Sequence, residues 1–198
     1  PPRRARLPAL HAGALSHVLQ KIANHKVKLE SLNDSYFSTY MLDETASQRE
    51  QLIIKSVGFV EGDYFVISGP HLFVGNPLYK TPRRIYSNSS HYDEIDLEAI
   101  ADDYLSRTIF RAIPSQKLEQ KKPKLSWKTD VADCMTVSDK FRLCRRDMIG
   151  PSSERTFNAA IFPPGPIHLS TVISTSFYSD IDLLEFSGYA YSLICDFF

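Results

Sequence analysis

The chain reads as an α+β fold: a mixed or antiparallel sheet with packed helices and a helical N-terminal part. Three observations predict this. Between residues 155 and 177, Phe157, Ala159 and Ile161, then Ile167, Leu169, Ile173 and Phe177, alternate with Asn158, His168, Ser170, Ser174 and Ser176. A period of two marks strands with one buried face. Pro163-Pro164-Gly165-Pro166 interrupts this run; prolines donate no ladder hydrogen bonds, so the chain turns there and the two strands are expected side by side. Elsewhere Leu15, Val18, Ile22, Leu29 and Leu32 recur at helical spacing.

In chain order, residues 1–8 form an extended arm carrying Arg3, Arg4 and Arg6. A helix is expected over 13–32, and Asn33-Asp34-Ser35 ends it by offering the backbone side-chain partners. A short polar helix follows at 43–51. Residues 52–57 and 64–68 are β-type runs flanking Gly58 and Gly62, expected to pair as a loose hairpin. Gly69-Pro70 breaks the second run. Leu72-Phe73-Val74 is a short strand, followed by an ordered loop to residue 84, in which Pro77 and Pro82 bar regular structure. Residues 87–90 turn. A helix is expected at 95–105 on Leu97, Ile100, Ala101 and Tyr104, and a strand at 107–113. Residues 114–130 are polar and lysine-rich and read as a linker. A strand at 141–148 opens the C-terminal unit. After the alternating run, Ser179 is a helix N-cap, with Asp180 and Asp182 near the positive helix end. The expected organisation is a helical and mixed connector over 1–113, a linker over 114–130 and a C-terminal core over 131–198.

Composition narrows the functions. The chain has 198 residues, 43% apolar, enough for a substantial core. Lys plus Arg and Asp plus Glu are 23 each, so the net charge is zero. That excludes a strongly basic nucleic-acid coat but leaves room for a local basic stripe. Cys134, Cys144 and Cys195 lack metal-ligand spacing, and their odd number suits a reducing cytoplasm. No apolar run is long enough to span a membrane. The start at Pro1-Pro2 and the apolar helical pattern up to Phe198 predict a piece of a longer protein.

The segment Arg155-Thr-Phe-Asn-Ala-Ala-Ile-Phe-Pro-Pro-Gly, with 141–148 before it and 179–198 after it, resembles the target-recognition region of large restriction–modification adenine methyltransferases with a TaqI-like specificity domain. A looser likeness extends to 68–83. The resemblance implies a non-catalytic part that binds double-stranded DNA and selects its sequence. S-adenosylmethionine chemistry would then belong to the parent protein, in a bacterial, cytoplasmic, phage-defence setting.

Basic clusters supply the candidate DNA contacts: Lys80, Arg83 and Arg84; Lys121 and Lys122; Arg142, Arg146 and Arg155. Arginine binds phosphate bidentately and reads guanine. The bland alternatives are a solvated surface for the first cluster, a linker for the second and an ion pair with Asp147 or Glu154 for Arg155. Arg142 and Arg146 share a strand face with Cys144 if Phe141 and Leu143 point inward. Trp127 among the lysines could stack on a base; a plain linker is the competing reading.

Asn76-Pro77-Leu78-Tyr79 differs at one position from the Asn-Pro-Pro-Tyr motif that holds a flipped adenine. The glycines before it have no cofactor-binding spacing, so the loop reads as structural and no cofactor is expected in this chain. His168, Ser170 and Ser174 share a strand face, but a serine nucleophile would need an orienting acid and an oxyanion pocket, and there is no Gly-x-Ser-x-Gly turn. No metal site is expected. A second function class, favoured by the neutral charge, is a protein–protein docking domain of a multi-subunit defence complex, in contact with a catalytic domain and other subunits.

Overall fold

The computed structural model describes residues 13–26, 28–60, 64–73, 76–88, 90–125, 127, 135–148 and 155–197. The arm at 1–8 and Cys134 lie outside them. The elements are α1 (Gly13–Ala23), a 3-10 stretch (Leu29–Ser35), β1 (Tyr36–Thr39), α2 (Glu44–Arg49), β2 (Ile53–Phe59), β3 (Val66–Ile67), β4 (Leu72–Phe73), β5 (Asn76–Pro77), β6 (Lys80–Pro82), β7 (Tyr92–Glu94), β8 (Arg107–Ala112), α3 (Gln116–Lys121), β9 (Arg142–Arg146), β10 (Ala159–Phe162), β11 (Ile167–His168), β12 (Val172–Phe177), α4 (Asp180–Ala190) and α5 (Leu193–Phe197). The class is α+β. The helical lead is shorter than expected: α1 has 11 residues and ends at Ala23, and the 3-10 stretch kinks at Asn33, whose φ is 46°.

The largest sheet has the order β1-β12-β9-β10, with every pair antiparallel. The strands on either side of the proline turn are therefore not neighbours: β11, directly after the turn, lies outside this sheet, and β9 lies between β10 and β12. Both sheet faces are covered. On one, Leu143, Ala159 and Phe177 pack against Leu183 and Ala190 of α4. On the other, Cys144, Ala160, Phe162 and Val172 pack against Phe65, Ile67 and Leu72. Every residue of β12 is buried, Ser174 and Ser176 included. The expectation of a single buried face is corrected here: the small serines sit in a protein interior, where their hydroxyls need partners.

A second core surrounds the β2–β8 pair, with Leu52, Ile53, Ile109, Phe110 and Leu118. The expected hairpin of 52–57 with 64–68 is not formed. Instead β2 pairs with β8, Ile53 opposite Ala112, and β3 pairs in parallel with β11, Val66 opposite Ile167. Both partners are distant in the chain, where local patterning carries no information. The expected helix at 95–105 is a series of turns. Asp96 accepts the Glu98 N–H (3.0 Å) and so competes with helical hydrogen bonding. The expected linker holds α3, capped by Ser115 accepting from the Leu118 N–H (3.1 Å). Leu118 is buried in the second core, which ties this segment to the domain.

Helix ends follow their local chemistry. Asp43 accepts from the Ala46 N–H at 2.7 Å to start α2. The N–H groups of Gln51 and Leu52 return to the carbonyls of Gln48 and Ser47, and Gln51 has φ 56°, a glycine-like C-terminal cap made with glutamine. Ser179 caps α4 through the Ile181 N–H. Past α4, the Tyr191 hydroxyl accepts the Ile161 N–H at 3.0 Å, on the outer strand β10.

Candidate functional site

Arg142 was expected at a DNA interface and is instead fully buried, at 0% exposure. It does share a strand face with Cys144, but Phe65, Ile67 and Leu72 cover that face. Its Nη1 donates to the carbonyls of Lys140 (3.2 Å) and Pro163 (3.1 Å), its Nη2 to the Pro166 carbonyl, and its Nε to Ser174 Oγ (3.3 Å). The guanidinium thus clasps both ends of the proline turn. Burial, more than any other cause, pulls its pKa below the ordinary value.

Ser174 also meets His168, with Oγ 2.6 Å from Nε2. The other ring nitrogen, Nδ1, lies 2.9 Å from the Leu169 carbonyl. A carbonyl only accepts, so Nδ1 carries the proton and the Ser174 hydroxyl donates to Nε2. The chain of bonds runs from Arg142 through Ser174 and His168 to the backbone. Burial pushes His168 down to about 3, so the ring is neutral at pH 7. A serine and a histidine in contact resemble a nucleophile and its base. Here the orienting position of a carboxylate is held by a backbone carbonyl, and His168 and Ser174 have 0% exposure. The cluster ties strands together and meets no substrate.

His71 makes a similar buried link with the opposite tautomer. Its Nδ1 accepts from the Ser68 N–H at 3.0 Å, so Nε2 donates to the Arg107 carbonyl at 3.0 Å. Burial lowers it to about 4. Asn76 and Pro77 form β5, paired with β4. The Tyr79 ring stacks on Phe73, with centroids 5.5 Å apart, and its hydroxyl donates to Glu94. That ring is engaged within the fold.

The other predicted cations are exposed or half-buried, most of them beside acids or carbonyls. Lys80 lies 3.0 Å from Glu94 and over the Phe73 ring. Its hydrogen bond is the main reason the Glu94 carboxyl sits below its usual pKa. Arg83 pairs with Asp93 at 2.9 Å, and Arg107 reaches the same carboxylate at 3.3 Å. Lys121 lies 3.5 Å from Glu50, which also holds Lys117 at 3.2 Å, and Lys122 is 2.8 Å from Glu119. Arg155 donates to the Tyr191 carbonyl at 3.0 Å. Arg84 is exposed, and Arg146 is half-buried. Lys80 to Arg84 are on the β6–β7 hairpin, Lys121 is on α3 with Lys122 just past its end, and Arg146 is on β9. Trp127 packs edge-on against Tyr178.

The sequence reading missed a groove of about 630 Å³ between the N-terminal helical segment and α4. Its floor is apolar: Ile22, Leu29 and Leu32 on one side, Phe186 and Tyr189 on the other. One rim carries Lys21, His25 and Lys28; the other carries Asp182 and Glu185. No residue of α1 is buried. The helical spacing of 15–32 was the available signal: an apolar stripe with nothing in the local sequence to say what it packs on. Among the described residues, no group of three or more His, Cys, Asp or Glu is placed to hold a metal, and no helix is long and apolar enough to cross a membrane. Compared with known protein families, curated proteins and solved structures, the chain matches none.

Proposed function

We propose that this chain is a protein-docking domain of a multi-subunit assembly, with α4 as its contact helix. The observation that carries the reading is the circumference of α4. Leu183, Ser187 and Ala190 are buried against the sheet. A second stripe, Phe186 and Tyr189, borders the groove. A third carries Ile181 and Leu184, exposed at 68% and 62%. A surface helix ordinarily shows one apolar face, turned to the core; one mounted on a sheet with further apolar stripes open to solvent fits a surface that a partner covers. Balanced charge supports the same reading. The resemblance noted in the sequence makes a defence complex the setting to test first.

A photo-cross-linking residue at Leu184, introduced in the native host, should give an adduct of discrete mass, and one at exposed Glu98 should not. No adduct at Leu184, or the same adducts at both, would end the reading.

The second reading is the DNA-recognition part of an adenine methyltransferase, with S-adenosylmethionine bound by the parent protein. Its support is the exposed Arg84 beside Arg83, with Arg146 as a further cation. Labelled duplex at low salt would then bind with an affinity that falls steeply as salt rises and weakens in Arg83→Ala plus Arg84→Ala. Absence of binding at low salt excludes it.

A further inference from the structure

We infer that the groove between α1 and α4 is closed by the same groove of a second copy of this chain; this rests on the docking reading and names one partner. The argument is charge complementarity around an apolar floor. Lys21 and Lys28 stand on the α1 side, Asp182 and Glu185 on the α4 side. Under a two-fold axis, residue i of one copy meets residue j of the other and j meets i. With that axis running along the groove, each basic rim meets the partner's acidic rim, twice. The floors, Ile22 and Tyr189 among them, are buried together. A pairing of like rims would be repulsive, so the arrangement fixes register as well as affinity.

Two further observations favour a second copy over other occupants. α1 has an apolar stripe and no buried residue, so the described residues of its own chain leave its packing incomplete. The whole chain has zero formal charge, so two copies meet without net repulsion. An anionic amphiphile would be drawn to the lysines but would face two carboxylates across the groove. Dimerisation leaves the Ile181–Leu184 stripe of α4 facing away from the groove, available to other subunits.

Analytical ultracentrifugation of the chain tests this. A reversible dimer is expected at micromolar to tens of micromolar concentration. Reversing the basic rim (Lys21→Glu plus Lys28→Glu) and, separately, the acidic rim (Asp182→Lys plus Glu185→Lys) should each weaken self-association roughly tenfold or more. Mixing the two variants should restore association, because every rim contact is then between opposite charges. All four positions are at the groove surface, and circular dichroism checks the fold of each variant. A wild-type chain that stays monomeric at about 100 µM, a concentration that populates even weak dimers, overturns the inference. So does a dimer that neither reversal affects, or a mixture that fails to recover. If the chain is monomeric while the Leu184 cross-link persists, the second copy is wrong and the docking reading stands. If both fail, both are wrong.

Discussion

Arg142 and Arg83 both belong to basic clusters of the sequence, and the fold treats them in opposite ways. Arg83 sits on the β6–β7 hairpin, more than half exposed, against the half-exposed Asp93. Arg142 is enclosed by three backbone carbonyls and a serine. The hairpin pair is screened by water and worth at most about 1 kcal/mol. The enclosed arginine satisfies acceptors that have few other donors, so removing it exposes the full desolvation penalty of those groups. Cationic residues are interchangeable on a sequence plot; the surroundings decide whether one is scaffold or surface.

The largest expected effect is at the enclosed site. Arg142→Leu leaves the carbonyls of Lys140, Pro163 and Pro166 without their donor and should lower unfolding stability by about 3 kcal/mol or more. Urea denaturation measures it; an unchanged midpoint would mean that water replaces the guanidinium and would erase the contrast with Arg83.

The next effect is on acid stability. His168 and His71 have folded pKa values of about 3 and about 4, below the unfolded value. Between those values and roughly 6.5 the unfolded chain binds more protons, so stability is intact above about pH 6.5 and falls as the pH drops toward 4. Each histidine contributes a slope approaching about 1.4 kcal/mol per pH unit in that window. His168→Gln and His71→Gln should each flatten the acid limb of a denaturant-midpoint profile. A limb as steep as in the wild type in both variants would place the acid lability in the surface carboxylates instead.

The smallest effect sharpens the other side of the comparison. Asp93→Asn removes the partner of Arg83 and Arg107 and should change stability by less than about 1 kcal/mol, with the difference shrinking further in high salt. A loss as large as that of Arg142→Leu would show the hairpin pair to be structural as well.

What could be read from the sequence follows from where the information lies. The strands at 107–113 and 141–148, the alternating run to residue 177 and the cap at Ser179 came from local alternation and local hydrogen bonding, and the structure places elements on each. The partners of β2 and β3 are distant in the chain, and no local rule names them. Ser174 and Ser176 looked solvent-facing because period-two alternation cannot distinguish water from a polar interior. One clue was present: a turn of prolines offers carbonyls and few N–H groups, so its acceptors need a donor from elsewhere, and Arg142 is that donor. The groove was legible only by halves. The stripe of 13–32 and the apolar residues after Ser179 were both visible, but their juxtaposition belongs to the tertiary fold.

The Tyr191 phenol on the Ile161 N–H has a consequence for solubility. An uncapped terminal strand offers a row of backbone groups on which further chains can add, the first step toward fibrous aggregates. By occupying one of those donors on β10 with a side chain from beyond α4, the molecule blunts that template without a charged residue or a proline in the strand. A single oxygen atom on a tyrosine ring thereby serves as a guard against polymerisation.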